Sequence, residues 1–396
     1  SLVRGWTWHQ DQKNSVLSHL IRVSVPAEND TPALFAELAD GINPKRLVEV
    51  AVYAPQWARY VEHAVAMPGL EEAVHWIHAH TKDNRWRVDG DIREMWTAEV
   101  AERTPLTAED LVEGAVDVAW FNRVIREVAA DDWQMLLKQA KFASGGGGHK
   151  RAEVFARALA GDLTTDELAK RITDKRHQDT VRALGLVPLP EDAAARDDEV
   201  LARYQVMQEF LRGSKKFGSQ RQASEKRAAE IGLQNLARTA GYPDPQRLEW
   251  AMEIHEVADL AEGPVRLELD EYEIELAVDE LGKAELTTRK AGKQLKSVPA
   301  RHRKDPQVVE LRDRATRLRR QVSRMRQSLE ASSIRGDEFT PEELGQLQRH
   351  PVLRPMLANL VFTDGAAMGY PADGGLVRWD GSQVAMPDRL RVAHAT

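Results

Sequence analysis

A chain of 396 residues, 42% hydrophobic and 30% charged, is long enough for two or three buried cores and too apolar for a disordered or collagen-like polymer. The absence of cysteine excludes a disulfide framework, thiolate zinc centres and thiol nucleophiles, and fits a reducing cytoplasm. The formal net charge of −7 is unevenly spread: residues 289–326 hold 14 Lys or Arg against three acids (Asp305, Glu310 and Asp313), a local net of +11 that leaves −18 elsewhere.

Up to about residue 262 the pattern is one of short helices with clear start signals. Thr31-Pro32, Asn43-Pro44 and Asp244-Pro245 each place a capping side chain before a proline whose missing N–H costs nothing in a first turn. Thr164 to Glu167 and Thr340 to Glu343 spell capping boxes. The spacing predicts long helices over 107–129, 197–211, 220–240 and 245–261, the last apolar on two sides and therefore buried. Of ten tryptophans, five lie between Trp76 and Trp133; interleaved with basic residues they could stack bases, but most sit at core spacing with acidic neighbours and read as packing anchors.

At Gly263-Pro264 the period changes from 3.6 to 2. Val265, Leu267 and Leu269, then Tyr272, Ile274, Leu276 and Val278, then 284–288, predict an antiparallel β-meander with one wet face. From about Pro306, Val308, Leu311, Ala315, Leu318, Val322, Met325 and Leu329 recur at steps of 3 and 4, a heptad seam. Arg312, Arg314, Arg317, Arg319, Arg320, Arg324 and Arg326 all fall off that seam. After Val361 glycine, aspartate and isolated β residues take over. The expected fold is therefore mainly α: an irregular, solenoid-like helical array (1–262), a small antiparallel β-meander (263–300), a helical segment with a long basic heptad helix (301–360) and a partial β-rich C-terminal segment (361–396).

Two stretches invite a phosphate reading. Ser144 to Arg151, SGGGGHKR, runs into a helical pattern, where Gly146, Gly147 and Gly148 let backbone N–H groups approach an anion and His149, Lys150 and Arg151 add donors. The Walker spacing is absent, and the alternative is a flexible connection or a close backbone crossing. Lys215, Lys216 and Arg221 flank Gly218 before the next long helix, with Phe217 as a staple on the competing reading. Among histidines, Glu72-x-x-His75 has a di-iron spacing without its second copy. His255 to Asp259 resembles HExxH with Asp as the last residue, so hydrogen-bonded histidine is the simpler reading and no metal or cofactor is expected.

The strings Ala79 to Asp83, Gly114 to Phe121 (GAVDVAWF), Gly145 to Arg151, Lys175 to Leu189, Lys216 to Glu225, Asn235 to Tyr242 (NLARTAGY) and Ala291 to Pro299, with His350 to Leu353 and the arginine-rich helix, resemble the large bacterial YehI-like or MolR-like proteins. Some relatives of those proteins carry a WGR domain. The resemblance spans nearly the whole chain and implies two uncharacterised regions joined near Gly263, inside a longer protein. Ser1 in place of Met and the unpunctuated end at Thr396 agree with that expectation. No catalytic residue is carried over.

The sequence thus points to a non-catalytic helical scaffold of a larger cytoplasmic protein, without membrane contact. Its partner is either protein, including the rest of the parent chain, or a nucleic acid met by Lys293, Lys296, Arg301, Arg303, Lys304, Arg312, Arg317, Arg319, Arg320 and Arg324. Intramolecular neutralisation of that segment by the acidic body is the competing expectation. The alternative function is a phosphate-ligand-binding regulator or enzyme built on 144–151 with 215–221.

Overall fold

Capping side chains set where the chain turns into helix. Thr31 accepts from Leu34 N and Asn43 from Lys45 N, while Thr107, Thr164 and Thr340 each form a reciprocal capping box. The computed structural model describes residue 2 and residues 12–82, 90–144, 147–279, 282–372 and 375–393. These divide into two compact units, Ser1–Pro245 and Gln246–Thr396. The division precedes the change of period at Gly263, because the helix over 245–261 shares its core with the second unit.

The first unit is an array of helices: α1 (Gln12–Val23), α2 (Pro32–Leu38), α3 (Pro44–Tyr53), α4 (Ala58–Val65), α5 (Leu70–Thr81), α6 (Gly90–Ala101), α7 (Ala108–Glu113), α8 (Val118–Glu127), α9 (Ala130–Gln139), α10 (Gly148–Leu159), α11 (Thr165–Lys175), α12 (Gln178–Leu184), α13 (Ala193–Ser214) and α14 (Ser219–Ala240). The single helix expected over 107–129 is two. Gly114, at φ +103°, closes α7 in a left-handed turn, and Asp117 starts α8 by accepting from Ala119 N and Trp120 N. The central element is α5, buried along nearly its whole length. Trp76 packs edge-on against Trp133 and tilted against Phe121 and His80, so these tryptophans are core anchors as their spacing predicts. Trp86 lies outside the described residues. Helices α12 and α14 cross at Gly185 and Gly232, where a Cβ on Gly185 would come within 2.5 Å of Gly232 O.

The second unit begins with α15 (Pro245–Ala261) and continues through β1 (Val265–Leu269), β2 (Tyr272–Val278), β3 (Ala284–Lys290) and β4 (Lys293–Leu295), a four-stranded antiparallel sheet in sequence order. The fourth strand is beyond what alternation revealed: three residues are too few for a period, and the positive-φ pair Ala291 and Gly292 makes the turn. The sheet's wet face is an ion-pair ladder in which Glu275 takes Arg266 (3.1 Å) and Arg289 (3.6 Å), while Lys290 meets Glu271 of the β1–β2 turn (2.7 Å). Helix α16 (Pro306–Arg335) follows, capped by Asp305 and ended by Gly336. Then come β5 (Glu338–Phe339), α17 (Pro341–Gln348), α18 (Leu353–Ala358), β6 (Phe362–Thr363), β7 (Met368–Ala372), β8 (Gly375–Val377), β9 (Gln383–Ala385) and β10 (Leu390–Val392). These last strands form a sheet of order β5-β10-β6-β7-β8-β9. All seven seam residues of α16 are buried, in one core with Trp250, Val257, Ile274, Leu276, Leu353, Phe362 and Leu390. A heptad seam here serves packing inside the unit, against strands and helices alike.

Candidate functional site

Glycine-rich 144–151 acts as a helix-end clamp. Gly146 lies outside the described residues; Gly147 precedes α10 and Gly148 is its first residue. A Cβ on Gly148 would fall inside the van der Waals radius of Thr81 O, so the missing side chain lets α10 start against the C-terminus of α5. Arg151 is buried, and its guanidinium donates to His80 O (3.0 Å), Val112 O (2.7 Å) and Lys82 O. A cation thus satisfies the carbonyls that the end of α5 leaves open. His149 is half-buried and Lys150 exposed.

The second basic stretch is likewise committed. Arg221 lies 3.7 Å over the Phe217 ring and bonds Glu225 at 3.0 Å, a buried carboxylate that also takes Arg176 at 2.6 Å. Lys216 stands 5.4 Å from the same ring, and Lys215 is exposed. The partners of this stretch are in the α13–α14 connection and on α14, those of Arg151 on α5, at its C-cap and on α7.

The carboxylates near His75 are also occupied. Arg103 takes Glu72 at 2.9 Å and Glu71 at 3.1 Å, and Trp120 Nε1 donates to Glu72. Burial, followed by the Arg103 charge, pushes the His75 imidazole down to about 3. Burial and then Arg151 do the same to His80, also to about 3, and neither ring nitrogen of His80 has a hydrogen-bond partner among the described residues. Among the described residues no three His, Asp or Glu side chains gather as a metal centre would require. The side chains of His255 and Glu256 are outside those described.

The basic segment of the second unit divides into spent and open cations. Arg289 belongs to the ion-pair ladder of the sheet, and Lys290 pairs with Glu271 of the β1–β2 turn. Arg314 forms a two-point bridge to Asp259 (2.5 and 2.7 Å), and Arg324 reaches the buried Glu253 at 2.6 Å. Arg301 stacks over Tyr272 at 5.1 Å beside Asp270 and Glu271; Arg303 donates to Val298 O; Arg319 Nε donates to Ala284 O at 3.1 Å. Lys293, Lys296, Lys304, Arg312, Arg317, Arg320 and Arg326 are exposed and pair with no carboxylate among the described residues. Intramolecular neutralisation therefore covers part of the segment only. Between β3 and α16 a cleft of about 300 Å³ is lined by Leu286, Val309, Arg312, Asp313, Thr316 and Arg319.

Fold and surface together define a mainly helical array whose second unit turns a set of open arginines outward. The chain belongs to a family of unknown function, DUF5724, whose model matches residues 1–252; a domain of unknown function, DUF4132, matches residues 292–396. No curated protein and no solved structure matches the chain. Among the described residues no helix is long and apolar enough to cross a membrane.

Proposed function

We propose that this chain is a non-catalytic helical scaffold region of a larger cytoplasmic bacterial protein, as its resemblance to YehI-like or MolR-like proteins implies, and that its second unit engages a nucleic-acid partner through the 289–326 segment. One observation carries the reading. Arg312, Arg317 and Arg320 stand exposed on one helix and pair with no carboxylate among the described residues, although the chain outside 289–326 carries a net −18 from which partners could have been drawn. Open arginines release condensed counterions from a phosphate backbone when they bind it, so the contact strengthens as salt falls. In the first unit Arg103, Arg151, Arg203 and Arg221 are taken up by carbonyl clamps and ion pairs, which supports a scaffold role there. The alternative, a phosphate-ligand site joining 144–151 to 215–221, has less behind it because Arg151 and Arg221 already have partners.

The test is fluorescence anisotropy of the chain with a labelled nucleic acid between about 50 and 200 mM salt. Four to six phosphate contacts give a log–log slope of roughly −3 to −6. Binding that ignores salt, or no binding, would remove nucleic acid as the partner and leave a protein surface in its place.

A further inference from the structure

The arginines of α16 are ordered, not scattered. Arg312, Arg319 and Arg326 are seven residues apart, as are Arg317 and Arg324, with Arg320 beside the second row. At about 100° per residue the two rows lie roughly 140° apart around the helix, and within a row successive cations are about 10 Å apart along the axis. Both rows keep phase with the buried seam; the middle member of the first, Arg319, holds Ala284 O, and Arg324 of the second holds Glu253, so Arg312, Arg326, Arg317 and Arg320 are the exposed arginines of the rows that pair with no carboxylate among the described residues. Between them run Thr316, Ser323 and Gln327, all exposed, uncharged and able to hydrogen-bond. Thr316 Oγ1 donates to Arg312 O at 2.9 Å and keeps its lone pairs for an outside donor. From Arg312 to Gln327 the only acid in the sequence is Asp313. No aromatic residue occurs in this stretch, so the face offers no platform on which unpaired bases could stack.

We infer that α16 binds B-form duplex DNA along its major groove, with Arg312 and Arg326 on the phosphates of one strand, Arg317 and Arg320 on those of the other, and Thr316, Ser323 and Gln327 toward the base edges. This rests on the nucleic-acid reading above and narrows it to one substrate class. A helix about 10–12 Å across matches a major groove about 12 Å wide, whereas the deep, narrow major groove of A-form RNA does not admit one.

Four probes separate the outcomes with the full chain: a 20-base-pair DNA duplex, the RNA duplex of the same sequence, the single DNA strand, and inorganic polyphosphate. The DNA duplex is expected to bind at least tenfold tighter than the others. The exposed double variant Arg317→Gln, Arg320→Gln should weaken it at least tenfold and take about 2 from the salt slope. Equal affinity for all four probes, or a double variant that binds the duplex as before, overturns the groove contact while leaving polyanion binding intact. Failure of every probe at low salt overturns both.

Discussion

Asn235 Oδ1 accepts the backbone N–H of Val116 at 3.0 Å, tying α14 to the turn between α7 and α8 across 119 residues of sequence. The same amide donates to Gly114 O at 3.2 Å and to Arg182 O at 3.1 Å, so one fully buried side chain joins three segments of the first unit. All three segments belong to strings that carry the resemblance noted above. Asn235→Ala would leave a buried N–H and two carbonyls with fewer partners. Each orphaned group costs about 1–3 kcal/mol, and a total loss of about 2–4 kcal/mol in chemical denaturation is expected. A loss under about 0.5 kcal/mol, within the range of ordinary surface changes, would mean that the latch is solvated.

Neighbouring glycines should respond in opposite ways. At Gly148 an added methyl meets Thr81 O, whereas at Gly147 it meets nothing within 4 Å. Gly148→Ala is expected to force α10 away from α5 and lower stability by about 1–3 kcal/mol, while Gly147→Ala stays within about 0.5 kcal/mol. Thermal melts of the two variants side by side decide it, and equal melting temperatures would count against the close crossing.

The buried histidines make the first unit acid-sensitive. His75 and His80 are held neutral in the fold with their pKa pushed down to about 3, by burial first and by Arg103 and Arg151 second. The unfolded chain takes up those protons below about 6.5, so their contribution is complete above that pH and is lost as pH falls toward 3. At pH 5 each should cost about 2 kcal/mol relative to pH 8. Urea titrations followed by tryptophan fluorescence at pH 8, 6 and 5 measure this, and His80→Phe should flatten the pH dependence by about one proton. Stability unchanged between pH 8 and 5 would contradict the burial of both rings.

Seam and outer face of α16 can be told apart by truncation. Leu318 is 3% exposed in the core of the second unit, and Leu318→Ala should destabilise by about 2–5 kcal/mol. Arg320→Ala, on the solvent side with no carboxylate partner among the described residues, should change stability by less than about 0.5 kcal/mol and act on nucleic-acid affinity instead. Comparable losses at both positions would place Arg320 in the fold and take it off the binding face.

Local rules made much of the architecture legible. Capping boxes at Thr164 and Thr340, the alternation from Val265 to Val278 and the seam from Val308 to Leu329 are each written within a few residues, and each stands in the fold where its period puts it. The break at Gly114 escaped the helical pattern because apolar spacing on its two sides stays compatible with one helix; the left-handed turn there decides the matter. The candidate anion sites were legible as composition only. SGGGGHKR and KKFGSQR state which donors are present, and they say nothing of which carbonyl or carboxylate will reach those donors first.

By itself the sequence determined periodicity: where helices start, where the period drops to 2, and which side of α16 is apolar. Those properties follow from the geometry of consecutive residues. Tertiary structure alone decided which cations are spent. Arg151 meets carbonyls of α5 and α7, Arg221 meets Glu225, and Arg314 meets Asp259 on a separate helix, while Arg312, Arg317 and Arg320 meet no carboxylate among the described residues. An ion pair or a helix-end clamp forms within a few ångströms in space, and partners such as Val112 and Arg151 are remote in sequence, so only the packed chain brings them together.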